Sequence, residues 1–168
     1  MATKKKAAAV TPARRGDPLS IRIDPKVRYG LELLARDQRR SVTGVVEWSI
    51  LQAFRNETVT IGNKGTFSFE DLLNQVWEVN ELERLVRLAF DAPQLMTYEE
   101  ERMMRVLAST DTCWRSGSSR SKFSDFDFSW ILPSWEPLKP VLIEASERPT
   151  VTGLTDSDLQ RAGLDIAF

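Results

Sequence analysis

The sequence predicts a mainly α-helical chain with short strands: a small strand–helix–helix unit that pairs with a second copy, followed by a C-terminal α+β domain. Three observations carry this reading. One alternating strand signal stands directly before two amphipathic helix signals, with no second strand in hairpin reach. The charge is asymmetric, since residues 1–55 hold 12 Lys/Arg against 5 Asp/Glu and residues 56–168 hold 11 against 19. The length of 168 residues, 42% hydrophobic and 28% charged, leaves room for a small module and a modest second domain.

Residues 1–17 lack periodicity and read as a flexible basic arm carrying Lys4, Lys5, Lys6, Arg14 and Arg15. In residues 19–24, Leu19, Ile21 and Ile23 alternate with Ser20, Arg22 and Asp24, the period of a strand with one apolar face. Asp24 can cap a helix whose first residue is Pro25, a ring pre-set for that position. Val27, Leu31, Leu34 and Ala35 then form one helical stripe. Polar residues end that helix, and Ser41 is the expected N-cap of a second over about 42–55. Its stripe is Val42, Val46, Ile50, Ala53 and Phe54, flanked by Val45. A unit this small cannot enclose a core alone, and its strand has no partner in the chain. Both deficits disappear if two copies pair strand to strand, with Ile21, Ile23, Leu31, Leu34, Val46, Ile50 and Phe54 in the dimer core. The product is a two-stranded ribbon, a shape that the DNA major groove admits.

The run LSIRIDPKVRYGLELLARDQRRSVTGVVEWSILQAF resembles the ribbon-helix-helix (Arc/MetJ-like) DNA-binding family, down to the spacing from the strand to Arg40-Ser41-Val42 at the turn. The resemblance covers about residues 18–54 and implies an intertwined homodimer on double-stranded DNA. It implies that the outward strand residues Ser20 and Arg22 read bases, and that Ser41, Val42 and Thr43 hold a phosphate. Free N–H groups at a helix N-terminus suit that task physically. Arginine is the commonest base reader, bidentate to guanine. The basic arm adds Lys4, Lys5, Lys6, Arg14 and Arg15 as phosphate contacts. Arc buries an Arg–Glu–Arg triad. The matching positions here are Arg40, Val45 and Ser49, so an apolar seam is expected around Val45.

On the second helix, Gly44, Trp48 and Leu51 fall opposite the core stripe. Trp48 and Leu51 are therefore expected to pack against the C-terminal domain, of the same or the partner subunit.

The acidic remainder, residues 57–168, begins with a hairpin over 58–69 around Gly-Asn-Lys-Gly. A helix signal capped by Ser68 and Asp71 runs from Glu70 to about Phe90, either unbroken or broken near residue 80, where Asn80 and Glu83 offer a new cap. Pro93 ends that run. Thr97 and Glu100 cap a helix over about 98–109, whose first turn accounts for Glu99, Glu100 and Glu101 through the helix dipole. Residues 115–124 are a Ser-rich basic loop. The aromatic stretch 123–135 reads as core, as strands or as a partner groove, and 141–145 as a buried strand. Thr155 and Asp158 cap a short last helix.

The chain has no histidine, which removes His-based catalysis and His metal ligation, and its one cysteine, Cys113, reads as a packed thiol. No phosphate-binding Gly loop or nucleophile elbow is present. No catalytic residue, metal or cofactor is expected. The absence of a secretory signal and of any long apolar run points to a cytoplasmic protein off the membrane. The expected function is transcriptional repression as a homodimer, with higher oligomers on DNA, including an autoregulating antitoxin whose acidic domain holds a toxin or other protein. The alternatives are a plasmid partition or conjugation accessory protein, a C-terminal effector-binding or enzymatic module with DNA binding secondary, and an assembly factor that only dimerises.

Overall fold

The computed structural model describes residues 20–164, apart from the side chain of Asn63. The chain is mainly helical with one small antiparallel sheet, and it divides into two compact units between Trp48 and Ser49. No described helix is long and apolar enough to cross a membrane.

In the first unit, α1 spans Pro25–Asp37 and α2 begins at Val42, ending at Asn56 beyond the boundary. The predicted cap is present: Asp24 Oδ1 accepts from the N–H groups of Lys26 at 2.8 Å and Val27 at 3.4 Å, with Pro25 opening the helix. Ser20–Asp24 is not helical and pairs with no strand among the described residues.

The second unit starts within α2. Phe54 meets Phe69 with ring centroids 5.2 Å apart, and Arg55 pairs with Glu70 at 3.1 Å. These contacts tie the last turn of α2 to the start of the helix Phe69–Val76. Strands β1 (Thr58–Ile61) and β2 (Gly65–Ser68) pair in register from Thr58↔Ser68 to Ile61↔Gly65. The turn needs its glycines, because Gly62 and Gly65 have φ of 41° and 108°, a region that side chains disfavour. Of the two readings of residues 70–90, the one broken near residue 80 is found. Helix α3 (Phe69–Val76) ends before Asn80, whose Oδ1 accepts from the N–H of Leu82 at 2.9 Å and starts α4 (Glu81–Asp91). Ser68 caps α3, and the Thr97/Glu100 box caps α5 (Tyr98–Ala108), as read from sequence.

The larger core is helical. Leu82, Leu85 and Val86 of α4, with Val106 and Leu107 of α5, are buried in one cluster with Trp135, Leu138, Leu142 and Ala145 of α7 (Trp135–Ser146). The expected strand at 141–145 is therefore corrected to helix. A short apolar run with nearby prolines reads equally as strand, yet Leu138, Val141, Leu142 and Ala145 have helical spacing. Pro137 lies in the first turn, where its missing N–H costs nothing, and Pro140 is on an exposed position of the helix.

The aromatic stretch is core, as expected, but not as strands. It contains a 3-10 turn (Phe123–Asp125), a single bridge between Trp114 and Phe126, and the short helix α6 (Phe128–Ile131). Trp114 and Phe126 meet edge to face at 5.5 Å, and Phe126 and Ile131 are fully buried. Strand content in the described part of this unit is the β1–β2 hairpin alone, one small antiparallel sheet beside the helices.

The last helix, α8 (Asp156–Arg161), has the predicted Thr155/Asp158 box and adds what spacing could not show. The Asp158 carboxylate is buried and accepts from Arg148 Nη1 at 3.0 Å and Nη2 at 2.5 Å, from Arg161 Nη2 at 2.8 Å, and from Thr155 N and Oγ1, each at 2.9 Å. Arg148, then Thr155 and Arg161, hold it charged far below the ordinary carboxylate range, against the opposing effect of burial. Gly153 brings the chain against α5's C-terminal turn, where an added Cβ would lie 2.3 Å from the Ser109 carbonyl oxygen.

Candidate nucleic-acid interface

The first unit is built from a capped helix, a tight turn and a second capped helix start. After Asp37 the chain reverses at Arg39, whose φ is +54°. The N–H of Arg40 donates to Ala35 O at 2.9 Å and that of Arg39 to Arg36 O at 3.2 Å, the paired bonds of a Schellman ending. Glycine usually fills that left-handed position, so arginine costs about 1–2 kcal/mol of backbone strain there. The turn delivers Ser41, whose Oγ accepts from Gly44 N–H at 3.0 Å. The predicted cap of α2 is thus present, and it leaves the first-turn N–H groups of Val42 and Thr43 without an intrahelical acceptor.

The cations of this unit are unspent. Among the described residues Arg22, Lys26, Arg36, Arg39 and Arg40 are exposed and form no ion pair, while Arg28 pairs with Glu32 at 3.4 Å on the same helix. The second unit contrasts with this. There Lys64, Arg87, Arg105, Arg120, Lys139, Arg148 and Arg161 each pair with a carboxylate. Arg39 and Arg40 directly precede the α2 N-terminus and so add two guanidinium groups beside Ser41, Val42 and Thr43. From sequence, Arg39 reads as a helix-ending polar residue and Arg40 as part of the turn match and of the seam position, neither as a phosphate contact. The available signal was their position next to an N-cap.

The apolar side chains of the unit are equally unspent. Among its described residues only Ala35 and Val45 are buried, Val45 completely, at the position where an apolar seam was expected. Of the expected dimer-core residues, Leu31, Leu34, Val46 and Phe54 are half-buried in the single chain, and Ile21, Ile23 and Ile50 are exposed. Val27, Tyr29, Leu33 and Val42 are exposed as well. Ile21 and Val27 keep 56% and 55% of their surface in water, too much for a unit meant to be closed. Ser20 and Arg22 are exposed, as base readers must be. Trp48 and Leu51, expected to pack on the C-terminal domain, are exposed at 36% and 41% in the single chain. The proposed phosphate contacts Lys4, Lys5, Lys6, Arg14 and Arg15 lie outside the described residues.

Chemistry elsewhere is sparse. Burial, with a smaller effect from Asp127, pushes the Cys113 thiol up to about 12, so it is protonated and enclosed at neutral pH. Among the described residues no three metal-ligating side chains gather. No family model matches the chain, and no curated protein and no solved structure matches it.

Proposed function

We propose that the chain is a homodimeric, sequence-specific double-stranded DNA-binding protein that acts as a transcriptional repressor. The observation that carries this is the unfinished first unit, with two buried residues and a rim of exposed Ile21, Ile23, Val27, Leu33 and Val42. A second copy laid strand to strand covers those side chains and turns Ser20–Asp24 into a two-stranded ribbon. The exposed side chains of Ser20 and Arg22 then meet base edges, while Ser41, Val42 and Thr43, with Arg39 and Arg40, hold a backbone phosphate. The unpaired cations supply the salt-dependent part of the affinity.

The test is fluorescence anisotropy of the full chain on DNA from upstream of its own gene, against scrambled DNA, over a salt series. Tight binding to a palindromic segment, with log K falling linearly in log salt, is expected. Equal affinity for both DNAs would remove sequence-specific repression, and no binding to either would leave a dimerisation module.

A second reading concerns the acidic domain. Trp77 and Val79 are exposed at 59% and 90% on the loop between α3 and α4. Arg84 braces that loop, donating to the carbonyls of Glu78 and Val79 at 2.6 and 3.0 Å and stacking over Trp77 at 5.0 Å. A rigid aromatic–aliphatic pair suits a protein partner, as in the antitoxin version of the reading. Co-purification with the product of an adjacent gene, lost on Val79→Glu, is the expected result for it.

A further inference from the structure

The Ser-rich loop after Trp114 and the start of α8 border a cleft of about 640 Å³, within the range of small-molecule sites. We propose that this cleft binds a small phosphate-bearing ligand at Arg115 and the loop Ser116–Arg120. The inference is independent of the DNA-binding reading.

The loop has a surplus of hydrogen-bond donors. It opens with a β-turn in which Ser118 N–H donates to Arg115 O at 3.1 Å and Gly117 has φ of +73°. Asp125 then ties down the far side, its Oδ2 accepting from Ser119 Oγ at 2.9 Å, Ser121 N at 3.0 Å and Lys122 N at 3.3 Å. Between these anchors the N–H groups of Ser116, Gly117, Ser119 and Arg120 have no acceptor among the described residues. Successive free N–H groups around left-handed residues, here Gly117 and Arg120 at φ +55°, form concavities that attract anions. The hydroxyls of Thr112 and Ser118, which line the same cleft, are enclosed without a partner. Such groups are uncommon in folded proteins and call for an explanation.

The charges agree. Among the described residues of this unit Arg115 neither forms a salt bridge nor braces a carbonyl, and it lines the cleft; Lys122, equally unbridged, does not line it. Arg115 lines the cleft and is exposed, with Asp127 as its electrostatic neighbour. Arg120 is fixed by Asp111 at 2.8 Å, which neutralises that carboxylate, and lies 5.9 Å from the Trp114 ring. Asp156 lines the cleft as well, a carboxylate that disfavours an anion beside it. A polyanion fits poorly, because residues 56–168 carry 19 Asp/Glu against 11 Lys/Arg and repel it.

The experiment is a titration of the isotope-labelled full chain with inorganic pyrophosphate at constant ionic strength, followed by amide NMR. Saturable shifts at Ser116, Gly117 and Arg120 and at the Trp114 indole are expected. Arg115→Gln, at an exposed side chain that forms no hydrogen bond or salt bridge, should keep the spectrum of the fold and weaken the binding at least about tenfold, the scale of a charge-assisted hydrogen bond. Lys122→Gln, outside the cleft lining, should leave the affinity unchanged. The proposal is overturned if the loop amides do not move or do not saturate. It is overturned too if Lys122→Gln weakens binding as much as Arg115→Gln, which would be a net-charge effect. Stronger shifts of the same amides by duplex DNA than by pyrophosphate would also overturn it, in favour of a nucleic-acid contact.

Discussion

Asp158→Asn tests the ionic anchor of the second unit. The substitution keeps the shape and removes the charge. The carboxylate accepts two bonds from Arg148, one from Arg161 and two from Thr155. An amide accepts at one atom only and turns donors toward guanidinium groups that are themselves donors. Removing one partner of a buried pair costs about 3–5 kcal/mol where the other charge is stranded. Here the side chains of Arg148 and Arg161 keep 31% and 44% of their surface in water, so they rehydrate in part. The expected loss is therefore about 2–3 kcal/mol. Urea unfolding at neutral pH should show a lower midpoint with an unchanged slope. The Asp158 pKa is lowered in the fold, so its contribution is present above the unfolded value of about 3.9 and fades as pH falls below it. The gap between wild type and variant should thus be full above about pH 5 and narrow on acidification. A loss below about 0.5 kcal/mol, the scale of ordinary surface substitutions, or a gap that stays constant to low pH would refute this reasoning.

Three further outcomes are expected. Arg22→Ala should lose about 1–3 kcal/mol on the specific DNA site and little on scrambled DNA, measured by anisotropy; equal losses on both would reduce Arg22 to a phosphate contact. Gly153→Ala should lower stability by about 1–3 kcal/mol in the same urea assay, because its Cβ would meet the backbone at Ser109 rather than a side chain that can swing away. Cys113 should resist alkylation at pH 8 in the folded chain and react as the chain unfolds, followed by mass spectrometry; rapid labelling of the native protein would contradict its burial.

Much of the local structure was legible because short-range chemistry fixes it. Asp24-Pro25, Ser41, Asn80, Thr97 with Glu100 and Thr155 with Asp158 are caps whose donors lie two or three residues away, and each is found in place. The hairpin was legible through its two glycines. Helix α7 was not, since the short apolar run 141–145 reads equally as a buried strand and only the surrounding helices show that residues 135–146 have a helical face to bury. The aromatic stretch is legible as core but not as turn and short helix, because burial there comes from contacts with α4 and with the segment around Trp114 that no local period reveals. In the first unit the start of α2 was legible from the Ser41 cap. The left-handed turn at Arg39 was not, because arginine gives no sign of that conformation. Arg148 was equally hidden, since its partner Asp158 lies ten residues on and across a turn.

The central claim is that the first unit is completed by a second copy of itself, strand against strand. The most direct measurement is an isotope-filtered NOE experiment on a refolded equal mixture of labelled and unlabelled full-length chains, with labelled isoleucine methyl groups. Cross-subunit NOEs from Ile21, Ile23 and Ile50, together with amide contacts between the two copies of Ser20–Asp24, are predicted in the absence of DNA. A monomeric chain without such NOEs, or a dimer whose cross-subunit NOEs lie only in residues 57–164, would contradict the account.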